Sequence, residues 1–388
     1  MTALIVYLKL LIAVLLVWPR GYLLIYLIDR SKSFSFGFKF FVGWLLGLCT
    51  FAADVFSANY LGGMKLDWWV IYSSALMQIF GFSFVIFIFE RKILWPRLSN
   101  FMPFVQRQIA GFVSLKKAEK IVLGVLLLIV LTGLIKGGWL ASTPADAWNQ
   151  KAATIYSARA IDLSANDPYY SGVVKYYPLN DTIIKFWLAA VAGGFSQNVI
   201  SFAANFYYLA LVIIFFLCLP SKIKILDRLL ATGLAAFIPI WYYNSSLAFE
   251  DTLFAIWLLL AFTSMMRFLG GDKKSTFYFA EMALAVAVWT KNEALYVVFP
   301  IILITTVLLY LYKKVKWYDL IMCWFWAGLT ISPWFLLLVF NWQTMLLTWH
   351  WQIGVENLWP ARLILYLSPV IISLVFSDFL LKLKHGKK

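Results

Sequence analysis

Apolar runs of about 20 residues recur along this 388-residue chain, and that recurrence decides most of what it can fold into. A helical run of that length matches the hydrocarbon layer of a bilayer. Only 13% of the residues are charged, roughly half the share of a soluble domain. We therefore expect an all-α polytopic membrane protein with about eleven transmembrane helices. They are expected near residues 4–28, 40–61, 68–89, 121–140, 200–219, 229–247, 253–269, 277–290, 295–312, 320–341 and 363–381. Pro19 and Arg20 predict a kinked or partly interfacial first helix. Residues 183–195 are too short to cross and are expected to lie in the interface.

The net charge of +15 does not point to nucleic acid. The basic residues sit in short loops between spans, where they set orientation instead. Most of the 33 lysines and arginines fall in one alternating set of loops, among them Arg91, Lys92, Lys117, Lys224, Lys273, Lys313 and Lys314. These loops, and the C-terminus, are expected in the cytoplasm. The segment 139–185 is then extracytoplasmic. Cys49, Cys218 and Cys323 all lie in expected spans and offer neither a disulfide framework nor metal-ligand spacing. No internal repeat is evident, which weakens an inverted-repeat transporter reading.

The long outer segment is polar, rich in Tyr and Pro, and carries Asp146, Asp162, Asp167 and Asp181. Its start has the grammar of a helix entry, with Thr143 as cap, Pro144 in the first position and Asp146 three residues after the cap. Asp146 thus has two readings: a capping carboxylate, and a catalytic one at the membrane surface. Asn149 and Gln150 share its helical face, and Tyr156 and Arg159 continue it. Three further polar groups are expected on the same side: Glu250–Asp251, Lys291 with Asn292 and Glu293, and His350 with Glu356. Each has a bland reading, such as a helix cap, a snorkelling lysine or a solvated loop histidine. Their convergence on one membrane face favours a site, because ionisable groups at membrane depth are costly. Asp54, inside the second span, is either a relay acid or a satisfied polar group.

The order of these motifs resembles the GT-C superfamily of integral-membrane glycosyltransferases, which includes protein O-mannosyltransferases and aminoarabinose transferases. The residues that carry the resemblance are D-A-W-N-Q-K-A from Asp146, K-Y-Y-P-L-N at Lys175–Asn180, F-E-D-T-L at the head of one helix and W-T-K-N-E-A-L-Y after another. It covers about residues 121–340, within a catalytic membrane part expected over 121–388 and preceded by an N-terminal part, 1–120, made of helices and a basic cytoplasmic loop. The resemblance implies transfer of a sugar from a polyprenyl-phosphate carrier to a lipid, glycan or protein acceptor outside the plasma membrane of a bacterial or archaeal cell. It maps the catalytic acid onto Asp146. Many members carry Asp-Glu there; this chain has Asp146–Ala147.

The residues support that chemistry on their own terms. One positioned carboxylate can accept the proton of an attacking hydroxyl. Lys175, Arg159 and Lys291 are candidate ligands for the leaving phosphate. A single base predicts one inverting displacement. Asn149, Gln150, Tyr156, Tyr176, Tyr177, Glu250, Asp251, Glu293 and His350 are the candidate substrate contacts. No cofactor is required; a divalent metal, if used, would fall to Asp146, Glu250 or Asp251. Two alternatives stand: a lipid-linked polysaccharide polymerase or ligase, and a polytopic transporter or flippase.

Overall fold

The computed structural model describes residues 3–30, 33–69, 113–139, 147–161, 178–244, 250–291 and 299–340, with Ala294 and isolated positions between 71 and 111. Among them there are helices and no strand. In chain order they are α1 (Ala3–Ile28), α2 (Phe36–Phe56), α3 (Lys117–Trp139), α4 (Ala147–Ala158), α5 (Asn180–Ala192), α6 (Gln197–Cys218), α7 (Ile225–Phe237), α8 (Pro239–Asn244), α9 (Glu250–Leu269), α10 (Lys274–Thr290), α11 (Phe299–Leu311) and α12 (Trp317–Phe340). Five segments are long and apolar enough to cross a bilayer: Leu4–Ile28, Phe36–Leu61, Lys117–Trp139, Gln197–Cys218 and Glu250–Leu269. The chain is a helical membrane protein. The expected helix at 363–381 and most of that at 68–89 lie outside the described residues.

Packing in lipid gains little from apolar burial, so close backbone approach matters more. Helices α1 and α2 form an intimate pair through Gly21, Gly43 and Gly47. A Cβ on Gly21 would stand 2.0 Å from the Gly43 carbonyl oxygen, and one on Gly47 would stand 2.2 Å from the Val17 carbonyl oxygen. Deeper in this pair Arg20 of α1 is ion-paired with Asp54 of α2. Asp54 is thereby a satisfied polar group, the second of its two sequence readings. Pro19 does not interrupt α1, which runs unbroken past it.

The structure departs from expectation at two helices. The span expected at 229–247 is broken into α7 and α8 at Ile238, the residue before Pro239, where a proline disfavours the helical conformation. Helix α5 is not interfacial. Every residue from Asn180 to Ala190 is buried, and so is Ala192. It packs on α1, α2, α4 and α6, with Trp187 completely enclosed. An interfacial helix would leave one polar face to water. Gly193, at φ 89°, closes α5 in the left-handed conformation that favours glycine.

At one end of the bundle, Asp29 binds Lys39 at 2.6 Å and accepts from the amides of Ser33 and Phe34 and the hydroxyl of Ser275. Near it, Lys274 pairs with Asp319 at 2.6 Å. The candidate site lies at the opposite end.

Candidate functional site

Four helix ends meet at that opposite end: the first turns of α4, α5 and α9, and the last turn of α10. Each contributes ionisable or amide side chains that are buried. Helix α4 supplies Asn149 and Lys151, both sealed from solvent. Helix α5 supplies Asn180, Asp181 and Lys185. Helix α9 opens with Glu250, buried, and Asp251, which keeps 23% of its side chain exposed. Helix α10 ends at Thr290, and Lys291 leaves it in extended conformation with φ −151°.

The contacts are specific. Lys291 Nζ is ion-paired with Asp251 Oδ1. Lys185 Nζ pairs with Asp181 Oδ2 at 2.6 Å, one turn apart on α5. The Tyr207 hydroxyl of α6 donates to Asp181 Oδ1 at 2.8 Å. Asn180 Nδ2 donates to Thr290 Oγ1 at 2.8 Å and to Cys49 Sγ at 3.3 Å. Thr290 spends its only hydroxyl proton on the Val286 carbonyl at 2.7 Å, so its oxygen must accept from Asn180. That fixes the amide orientation and leaves Asn180 Oδ1 a buried acceptor with no hydrogen-bond partner among the described residues.

Glu250 stands at the electrostatic centre, with the charges of Lys291, Asp251, Asp181 and Lys185 all acting on it. Lys151 lies within reach of its field as well. Burial pulls the Lys151 ammonium down to about 7, and the Glu250 carboxylate opposes that pull. The cluster brings together three amines, Lys151, Lys185 and Lys291, and three carboxyl groups, Asp181, Glu250 and Asp251, with Lys185–Asp181 and Lys291–Asp251 as ion pairs. Charges so deeply buried persist only when paired and hydrogen-bonded, and in membrane helices they mark function by default.

The predicted residues divide into three groups. Lys291, Glu250, Asp251 and Asn149 come together in this cluster, with Gln150 half-buried on the same helix as Asn149. Arg159 and Tyr156 sit further along α4, eight and five residues beyond Lys151 or about 12 and 7 Å along the axis. There Arg159 lies over the Trp68 ring at 3.0 Å from its centroid, and Tyr156 packs on the same ring at 5.6 Å. Asp146, Lys175, Tyr176, Tyr177, Glu293 and His350 lie outside the described residues. Among the described residues no three His, Cys, Asp or Glu side chains gather as a metal site would need.

Sequence reasoning gave no site role to Lys151, Lys185, Asn180 or Asp181, although Lys151 and Asn180 stand within the motifs quoted above and Asp181 among the acids of the outer segment. One signal was present. Asp181 and Lys185 are four apart on a helix that is apolar beyond Lys185, the spacing at which opposite charges meet. Comparison with protein-family models, curated proteins and solved structures returned no match.

Proposed function

We propose that this chain is a membrane glycosyltransferase of GT-C type with about eleven spans, taking a sugar from a polyprenyl-phosphate carrier on the extracytoplasmic face. The observation that supports it best is the buried cluster of amines and carboxylates where α4, α5, α9 and α10 meet. A lipid-phosphate donor needs a cation for the departing phosphate and a base for the attacking hydroxyl. In this reading Lys291 receives the phosphate, exchanging its contact with Asp251 for one with the ligand, which enters past the partly exposed Asp251. Asp146 takes the acceptor proton, and Asn149, Gln150, Glu250 and Asp251 contact the sugar. Lys185 and Asp181, locked to each other and to Tyr207, hold the floor of the site.

The test uses purified protein, a radiolabelled polyprenyl-phosphate sugar and a membrane extract supplying acceptors. Wild type is expected to bind the donor and transfer the label, and Lys291→Met to remain folded but lose donor affinity, with Lys291→Arg recovering part of it. Absence of donor binding by wild type overturns the transferase reading. Transport is the second reading, favoured by one observation: the Lys185–Asp181 and Lys291–Asp251 pairs neutralise each other, as relay groups in a coupled transporter do. Substrate-driven proton movement in sealed proteoliposomes, without label transfer, would establish it instead.

A further inference from the structure

Arg159 is strange for its position. It follows the last residue of α4 with φ 56°, the left-handed conformation in which a helix end favours glycine. A side chain there costs backbone strain, and such strain in a non-glycine residue tends to persist where the side chain has work to do. The backbone is held from both sides. The Arg159 N–H donates to the Ile155 carbonyl at 2.9 Å, and the Arg159 carbonyl accepts from the Leu66 amide at 2.8 Å. A second clamp lies two residues on, where the Ile161 amide donates to Asn59 Oδ1 at 2.6 Å.

The side chain is fixed as firmly. Its guanidinium stacks on Trp68 and stands 5.0 Å from the Tyr156 ring centroid. In this pose Arg159 Nη1 is buried and has no hydrogen-bond partner among the described residues. A buried cationic donor with no acceptor is expensive, and native structures rarely keep one without a reason. Strained backbone, stacked guanidinium and a buried N–H free to donate together describe a cation arranged to receive an acceptor. An arginine fork fits an oxyanion with paired acceptors, phosphate above all. The surroundings suit a membrane surface: Trp69, next in the chain, is 86% exposed, as an aromatic at the headgroup level would be. Of the nearby charges, the exposed Lys65 favours an anion and the exposed Asp67 opposes one.

We propose that Arg159, held by Trp68 at the end of α4, is an oxyanion site that takes a phosphate group at the outer membrane surface, separate from the Lys291 cluster. This inference does not rest on the transferase reading, because its readout is binding and not transfer. The full chain is purified in detergent and its thermal unfolding followed against inorganic phosphate, with chloride at equal ionic strength as control. Lipid retention is measured in parallel by native mass spectrometry after reconstitution with phosphatidate or with a zwitterionic lipid.

Two variants separate the roles. Arg159→Gly suits the backbone and so should fold at least as well as wild type. It is expected to weaken phosphate binding about tenfold or more, as loss of a charge-assisted contact does. Arg159→Lys keeps charge without the fork and should recover part of the affinity. A response to inorganic phosphate alone assigns a soluble oxyanion, and retention of phosphatidate alone assigns a lipid headgroup. The proposal is overturned if wild type prefers neither phosphate over chloride nor phosphatidate over the zwitterionic lipid. It is equally overturned if Arg159→Gly binds both as wild type does.

Discussion

Lys185 and Asp181 make the most exposed test of the buried site, because their geometry sets the expected size of the effect. Their side chains are 0% and 5% exposed and their charged atoms are 2.6 Å apart. Asp181→Leu strands the Lys185 ammonium without its carboxylate, and removing one member of a buried ion pair costs about 3–5 kcal/mol. The same change takes the acceptor from the Tyr207 hydroxyl, which costs roughly 1–3 kcal/mol when buried. These losses share one site and do not sum; the single variant should fall by about 4 kcal/mol. Lys185→Met strands the carboxylate and should cost a similar amount, eased somewhat by the remaining Tyr207 hydrogen bond. Converting both residues at once removes the charges together, and apolar replacement of a buried pair is often close to neutral. The double variant should therefore sit within about 2 kcal/mol of wild type. The assay is equilibrium unfolding in mixed micelles with increasing dodecyl sulfate, run on all four proteins as a double-mutant cycle. If the double variant loses the sum of the two singles, with a coupling below roughly 0.5 kcal/mol, the two side chains do not meet as described and the reasoning fails.

Other consequences can be checked separately. Asp146→Asn keeps the cap and the shape of the side chain; it should lower transfer by about 10²–10⁴-fold if Asp146 is the base, and near-normal turnover would leave it a capping residue. Gly47→Val drives a Cβ against the Val17 backbone; we expect a loss of about 1–3 kcal/mol in unfolding free energy, and none if α1 and α2 stand apart. The Asp29 carboxyl is pushed up by burial, but the Lys39 ammonium and the Phe34 and Ser33 amides outweigh this and hold it below its usual value. Its stabilising effect is thus full above the unfolded value of about 3.9 and lost as pH falls through the lower folded value. Asp29→Asn should be less stable than wild type near neutrality, and the gap should close in acid titrations followed by thermal unfolding.

The helices were legible in the sequence because lipid imposes one simple rule, a long apolar run, on any segment that crosses it. Five such runs stand in the structure. What could not be read was the depth of a short helix. Residues 180–192 have the length and composition of an interfacial segment, and only the surrounding α1, α2, α4 and α6 show it to be interior. The cluster was half legible for the same reason. Glu250, Asp251 and Lys291 stood out as charges at helix ends, whereas Lys185 and Asp181 lay in a stretch that looked like loop. Arg159 was recognised as a cation along the α4 face, but its contact with Trp68 depends on the turn at Gly62 and Gly63 and on the Leu66 amide meeting the Arg159 carbonyl, which no local periodicity announces.

The Arg20–Asp54 contact has a consequence for how this protein enters the membrane at all. A lone arginine or aspartate costs about 2.5–3.5 kcal/mol at the centre of an inserting helix and less toward its ends, where Arg20 and Asp54 stand, so each alone still opposes insertion. Residues 29–35 are too few to let α1 and α2 wander far apart during synthesis. The two helices should thus leave the translocation channel as a hairpin, with the opposite charges already cancelled and the glycine faces already in register. A nascent chain halted after α1 would then insert poorly, and one extended through α2 would insert well.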